Sequence, residues 1–318
     1  MSVISKFRYR LKLKNYFKKV ECFLDDGYYT LNDKTIKRIN KKDVSLYRRF
    51  KVFSNNNKLA NYSSGSLFFT KYKAGLLTND KAFYFINNKD RYELYKTNYS
   101  RYIDGLVYPC INLEFVDDKM LVIAPIVKGI LIKDCSRFEI FLDKLFDFAS
   151  KSQYEYKDAV EGDIKLPWYV QHGDCKNANI IWNKDDKEFT MIDLEAIDAY
   201  PPLYDVFYYL FITKKEESIS ILNSDDFNKK VRGFYSKLLK DVPNNILDIT
   251  LANYAYYTSS KVSKGVELYE YEFYLFWRHF DSFDSYPLTQ KVLKEYENKL
   301  KEYKIKWWTS MRLLKTKI

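Results

Sequence analysis

The chain has 318 residues, 47% of them hydrophobic and 18% aromatic, with 30 Tyr and 23 Phe. That supply of apolar surface supports one large or two moderate packed domains and excludes a disordered chain. The net charge of +11 points to anionic partners, yet no nucleic-acid-binding motif accompanies it, so nucleic acid is not expected among them.

Only 9 Gly and 7 Pro are present, which argues against long flexible linkers. Cys22, Cys110, Cys135 and Cys175 are far apart and make no C-x-x-C pair, so no zinc or dithiol motif is visible. A reduced, cytoplasmic setting fits. The N-terminus becomes charged too early for a signal peptide, and no apolar run reaches the roughly 18 residues that a membrane span needs.

In chain order, Tyr28–Leu31 and Thr35–Ile39 read as a hairpin around Asn32-Asp33-Lys34, and Phe50–Phe53 as a further strand. Ser63-Ser64-Gly65-Ser66 reads as a turn whose backbone N–H groups suit phosphate, although a Gly among serines is also an ordinary turn. Leu67–Lys73 and Ala82–Ile86 read as strands on either side of a turn at Thr78–Lys81, and Asp90–Tyr102 as a helix carrying Glu93. Cys110–Phe115 and Met120–Ile126 form a second hairpin around Asp117-Asp118-Lys119. Phe138, Phe141, Leu142, Leu145, Phe146 and Ala149 recur at helical spacing and define a core-facing helix.

The densest signal follows. Gln171-His172-Gly173-Asp174-Cys175-Lys176-Asn177-Ala178-Asn179 leads into the apolar Ile180-Ile181-Trp182, then turn chemistry at 183–187, then a returning strand at Phe189–Ile192, then Asp193-Leu194-Glu195. The hairpin brings Asp193 back beside Asn179. An Asp, an Asn five residues on, and a second Asp after a hairpin are the parts used in phosphoryl transfer. Asp174 would take the acceptor hydroxyl's proton, and Asn179 and Asp193 offer the hard oxygens that magnesium prefers. His172 reads as orienting the loop rather than moving a proton. Glu195 is open between a bracing role and chemistry. Asp205 reads as the cap of a helix over Val206–Thr213 that also braces the loop. Cys175 lies inside the loop, and a Cys between such positions is not a nucleophile by default. Further helices are expected over Ser218–Leu222, Phe227–Leu239, Ile246–Ser260, Leu268–Asp281 and Leu288–Lys304. On the fourth of these, Trp277, Arg278 and His279 read either as an acceptor pocket or as core with one polar tip.

The H-G-D-x-x-x-x-N loop at 172–179, Ile192-Asp193-Leu194-Glu195 and Pro202-Leu203-Tyr204-Asp205-Val206 resemble the aminoglycoside phosphotransferase and choline-kinase-like family, relatives of the protein kinases. The resemblance is specific over about Pro167 to Leu210. It implies a two-lobed, protein-kinase-like α+β fold: a small β-rich nucleotide-binding lobe over 1–125, and a larger helical lobe over 126–318 with the catalytic loop and acceptor site. ATP and magnesium are the implied cofactors. Gly65 and Ser66 would then contact phosphate, Glu93 would pair with a phosphate-binding Lys, and Ile126 would donate its N–H to adenine. The sequence departs from the family in one respect: the third strand, near Phe85-Ile86-Asn87, carries no Lys, and Lys71, Lys73 and Lys81 are the nearest.

The expected acceptor is a hydroxyl-bearing sugar of a cell-envelope glycan, such as a lipopolysaccharide core residue. The net charge and the basic, aromatic ends at 6–19 and 304–318 suit an anionic acceptor and peripheral contact with the inner face of a membrane. The same ends read equally as solubilising surface segments. The alternatives are a small-molecule kinase of the aminoglycoside or choline type and a non-catalytic kinase-like binding module.

Overall fold

The computed structural model describes residues 24–31, 37–40, 62–69, 73–86, 88–132, 137–183, 187–263 and 283–296. The expected strand at 50–53, the helix at 268–281 with Trp277, Arg278 and His279, Lys71, and both basic ends lie outside them. The chain divides into two compact units. The first draws on Met1–Thr97 and Ile111–Lys128, the second on Asn98–Cys110 and Gly129–Lys317. Among the described residues no helix is long and apolar enough to cross a membrane.

The first unit is built on one sheet. Its strands are β1 (Leu24–Leu31), β2 (Lys37–Asn40), β3 (Tyr62–Phe69), β4 (Lys73–Leu77), β5 (Lys81–Ile86), β6 (Glu114–Val116) and β7 (Leu121–Pro125), in the order β2-β1-β3-β4-β5-β7-β6. The pairs are antiparallel except β1 with β3. Central β5 and β7 are almost continuously apolar and buried, as strands with neighbours on both edges must be. Met120 turns the β6–β7 connection in the left-handed region, at φ 47°.

Two expectations for this sheet are corrected. Leu67–Lys73 is not one strand: β3 ends at Phe69 and β4 starts at Lys73. Ser63–Ser66 is not a turn. It lies inside β3, with Gly65 opposite Tyr29 and Ser66 opposite both Thr30 and Leu77. Tyr62 and Leu67-Phe68-Phe69 flank the small residues with strong strand formers, and partners on both edges satisfy the backbone, so sheet pairing overrides the local turn preference.

Helix α1 (Lys89–Tyr102) connects β5 to β6 and opens where the Asn88 side chain accepts the Arg91 N–H at 2.9 Å. Tyr92, Tyr95 and Tyr99 form its buried face, and Tyr92 and Tyr95 meet the Phe115 ring edge-on at 5.9 and 5.5 Å. The Tyr92 hydroxyl and Lys96 both donate to Asp117, at 2.9 and 2.6 Å, which fastens α1 to the β6–β7 turn.

In the second unit, β8 (Ile130–Leu131), β11 (Ile180–Asn183) and β12 (Glu188–Met191) make one small sheet. A second contains β9 (Glu155–Asp158), β10 (Lys165–Gln171) and β13 (Asp198–Tyr200). The helices are α2 (Phe138–Lys151), α3 (Tyr204–Lys214), α4 (Ser218–Leu222), α5 (Asp225–Tyr235), α6 (Ile246–Ser263) and α7 (Pro287–Glu295). α2 buries the six residues that the periodicity assigned to its core face. α5 starts two residues earlier than the apolar pattern suggests, because Ser224 Oγ accepts the Phe227 N–H and Asp225 and Asp226 occupy the first turn, and it ends at Tyr235 rather than Leu239.

Helix α3 is buried over Tyr204–Phe211, on every face. Aromatic rings surround it. Phe138 stacks on Tyr209 at 5.4 Å and Phe141 meets the same ring edge-on at 4.8 Å, while Tyr254 of α6 lies 5.1 Å from Tyr204 and 5.6 Å from Phe207. A helix held on all sides is a rigid platform, and it is the platform on which the loop after β10 rests.

α6 and α7 are joined by a carboxylate. Buried Asp248 accepts the Leu288 and Thr289 N–H groups and the Thr289 hydroxyl, all within 2.9 Å, and so caps α7 from a neighbouring helix. Asp248→Ala leaves those donors buried without an acceptor. The expected loss is about 2–4 kcal/mol of unfolding free energy, checked by urea titration; a loss below a few tenths would show that water replaces the carboxylate.

Candidate active site

β10 delivers the chain to His172, Gly173 and Asp174. Gly173 has φ +79°, and a Cβ there would run into the Tyr200 hydroxyl and the Ala196 carbonyl oxygen, so only glycine fits between β10 and β13 at this point.

The loop is then gripped from below. Asp205, fully buried on α3, accepts the His172 N–H at 2.8 Å with Oδ2 and the Gly173 N–H at 2.9 Å with Oδ1, and the Tyr108 hydroxyl also donates to it. Its own N–H donates to Gln171 Oε1 at 3.0 Å, and Gln171 Nε2 donates to the Pro201 carbonyl at 2.7 Å. Burial raises the Asp205 pKa, opposed by His172 and by these donors. Asp205 sits in the first turn of α3 and Leu203 occupies the cap position, so the expected capping role is corrected. The carboxylate is drawn to the loop because two buried N–H groups there have no other acceptor.

His172 is buried and bonded through both nitrogens. Nε2 lies 2.8 Å from the Ile192 carbonyl and so carries the proton, while Nδ1 accepts the Asp174 N–H at 3.2 Å. The ring ties the loop to the end of β12.

Asp174 is 8% exposed. Oδ1 accepts from the Tyr208 hydroxyl at 2.6 Å and from Lys176 Nζ at 2.8 Å, and Oδ2 from Lys176 Nζ at 2.5 Å and Asn179 Nδ2 at 2.8 Å. Asn179 Nδ2 also donates to the Asp174 carbonyl at 2.9 Å. The amide nitrogen of Asn179 is thus committed to Asp174.

The hairpin closes the site. Ile180 pairs with Met191 across β11 and β12, and the Ile192 N–H donates to the Asn179 carbonyl at 2.9 Å. Asp193 is the next residue, half-buried and left-handed at φ 64°. A non-glycine residue pays about 1 kcal/mol or more in that region. Glu195 follows in a short 3-10 turn over Leu194–Ala196. Among the described residues no group of three or more His, Cys, Asp and Glu side chains could hold a metal by itself. One amide oxygen and one carboxylate fit magnesium, which completes its shell with water and phosphate oxygens.

The residues expected at the nucleotide all belong to the first unit. Gly65 and Ser66 lie within β3 and lack the turn that suggested them. Glu93 is exposed on α1. The Ile126 N–H donates to the Asp80 carbonyl at 2.8 Å, so the donor expected to meet adenine is already used. Lys81 opens β5 on its exposed end, and the strand interior, Ala82–Ile86, carries no Lys.

Tyr208, Lys176, Gln171 and Tyr108 were not singled out from the sequence. Tyr208 had a signal: it lies three residues after Asp205, on the same helix face. Tyr108 had none, because its contact with Asp205 joins distant parts of the chain.

Cys175 is fully buried beside this network, and burial, then Asp205 and Asp174, push its thiol pKa well above the usual range. The thiol stays protonated in the folded protein while an unfolded thiol ionises near pH 8.5, about 1.4 kcal/mol per pH unit beyond that. The unfolded state then binds fewer protons than the native one, so stability falls as pH rises. Between about pH 8.5 and 9.5 the wild type should lose roughly 1 kcal/mol more than Cys175→Ala. Urea titrations at the two pH values check this; parallel losses would remove Cys175 from the account.

The model of the phosphotransferase enzyme family matches residues 141–224, which include the loop, the hairpin and α3. The chain carries a phosphotransferase catalytic segment. Among curated proteins none matches the sequence. Among solved structures, choline kinase LicA from Streptococcus pneumoniae is similar at 14% identity and a TM-score of 0.39, covering 72% of this chain and 90% of its own. A choline/ethanolamine kinase family protein from Mesorhizobium loti follows at 9% identity, with 71% and 91% covered and a TM-score of 0.39. The ADP-bound aminoglycoside phosphotransferase APH(2'')-Ib has 11% identity, with 63% and 84% covered and a TM-score of 0.39.

Proposed function

We propose that this phosphotransferase moves the γ-phosphoryl group of ATP to a hydroxyl of a cell-envelope glycan. The observation that carries the catalytic part is the Asp174 carboxylate, held by Tyr208 and Asn179 on a loop whose backbone Asp205 fixes. Asp174 orients the acceptor hydroxyl and receives its proton as the phosphoryl group transfers. Because the side chain is set by buried neighbours, little reorganisation is left for the reacting complex. His172 keeps the loop and the β12 end in register. Asn179 Oδ1 and Asp193 would hold magnesium, which neutralises charge on the transferring group.

The choice of acceptor rests on charge. The +11 balance favours an anionic partner over a cationic aminoglycoside or choline, and supports peripheral contact with an anionic membrane on its cytoplasmic face. The test is magnesium-dependent transfer from ATP over a panel of envelope glycans, aminoglycosides and choline, with Asp174→Ala and Asp193→Ala alongside. Transfer to a glycan that both substitutions abolish supports the whole reading. Transfer to aminoglycoside or choline alone overturns the acceptor class and keeps the kinase. No nucleotide binding and no turnover favours the non-catalytic binding module, to which the missing third-strand Lys also points.

A further inference from the structure

We propose that Tyr208 is a positioning residue for the phosphoryl transfer, fixing which oxygen of Asp174 faces the acceptor hydroxyl; this rests on Asp174 being the base.

An ionised carboxylate has two oxygens and about four acceptor directions, and it rotates freely unless each oxygen is held. Two donors here are buried and short: the Tyr208 hydroxyl on Oδ1 at 2.6 Å and Asn179 Nδ2 on Oδ2 at 2.8 Å, with Tyr208 and Asn179 each 4% exposed. One fixed donor per oxygen sets the plane of the group. The third donor differs in kind. Lys176 bridges both oxygens from a flexible side chain that is 35% exposed. Of the three donors it is the one most exposed to solvent. Lys176 is the exchangeable donor, and Tyr208 and Asn179 are the permanent ones.

The position of Tyr208 adds to this. It lies three residues after Asp205 on α3, so one buried helix holds both the loop backbone, through Asp205, and the Asp174 side chain, through Tyr208. The Tyr208 ring packs parallel to Tyr204 at 6.3 Å, a contact that phenylalanine keeps. Tyr208→Phe therefore removes the hydroxyl and retains the packing.

Turnover of Tyr208→Phe is measured with ATP, magnesium and water as acceptor, and with any sugar acceptor of the wild type, beside Asp174→Asn. The expected result is a fall in kcat of about 10- to 100-fold, the effect of one charge-assisted hydrogen bond. The KM for ATP should stay within about twofold, and kcat is taken per folded molecule because the lost buried hydrogen bond also lowers the melting temperature by a few degrees. A purely structural role would lower the melting temperature and leave kcat per folded molecule unchanged. A crystal structure of Tyr208→Phe gives a readout independent of turnover, and the Asp174 carboxylate should rotate or occupy more than one orientation. Full kcat, or an unmoved carboxylate, overturns the proposal while a dead Asp174→Asn keeps the base reading. An Asp174→Asn enzyme with wild-type turnover removes the base, and the role of Tyr208 falls with it.

Discussion

Asp174→Asn should reduce phosphoryl transfer about a thousandfold while leaving the fold intact. The carboxamide is isosteric, so the loop keeps its shape, but it cannot take a proton, and a positioned general base contributes about 10²- to 10⁴-fold. Asn also presents one acceptor and one NH₂ where the protein offers donors to both oxygens: Tyr208 and Lys176 on Oδ1, Asn179 and Lys176 on Oδ2. The NH₂ therefore faces a donor whichever way the group is turned, which adds to the loss. The measurement is kcat and KM for ATP with magnesium and the best acceptor. The loss should fall on kcat, with the KM for ATP little changed, because Asp174 acts on the acceptor. A variant within tenfold of wild type would show that Asp174 is not the base.

The second large effect is expected at Asp205, which touches neither substrate. Asp205→Ala removes the acceptor for two buried backbone N–H groups, those of His172 and Gly173, and for the Tyr108 hydroxyl. Each buried donor left without a partner costs about 1–3 kcal/mol, so the expected loss is about 3–5 kcal/mol. Asp205→Asn should fall between wild type and alanine, since its single oxygen serves one of the two N–H groups. Stability and activity should fall together, because the same bonds place Asp174. Urea titration of the three proteins, with kcat measured below the transition, checks the order. An alanine variant of wild-type stability would mean that water fills the site and that the anchor is dispensable.

The local pattern was enough to identify some elements. The six apolar positions of α2 recur at helical spacing and are buried. The hairpin of β11 and β12 follows from two apolar runs around a polar turn. The spacing of Asp174 and Asn179 translates into contact, Asn179 Nδ2 to Asp174 Oδ2 at 2.8 Å, because the loop between them is short. Ser63–Ser66 misled for the opposite reason: its local turn preference was outweighed by pairing with β1 and β4, whose contribution a sequence window does not contain. Ile126 looked like a free donor until Asp80, across the β5–β7 edge, took its N–H.

What the sequence determined by itself was an order and a spacing: Asp174, Asn179 and, after a hairpin, Asp193, on a basic chain. What only the tertiary structure decided was how these groups are held. The sequence already reads His172 and Asp205 as supporting the loop; the structure supplied the bonds, from the His172 and Gly173 N–H groups to Asp205, which does not cap its helix, and from His172 to the Ile192 carbonyl, and it added Tyr208 on Asp174. The physical reason is range. A catalytic motif is fixed by bonds along a short stretch of chain, whereas a buried donor finds its acceptor wherever packing brings one, here across 33 positions between Asp205 and His172 and 34 between Tyr208 and Asp174.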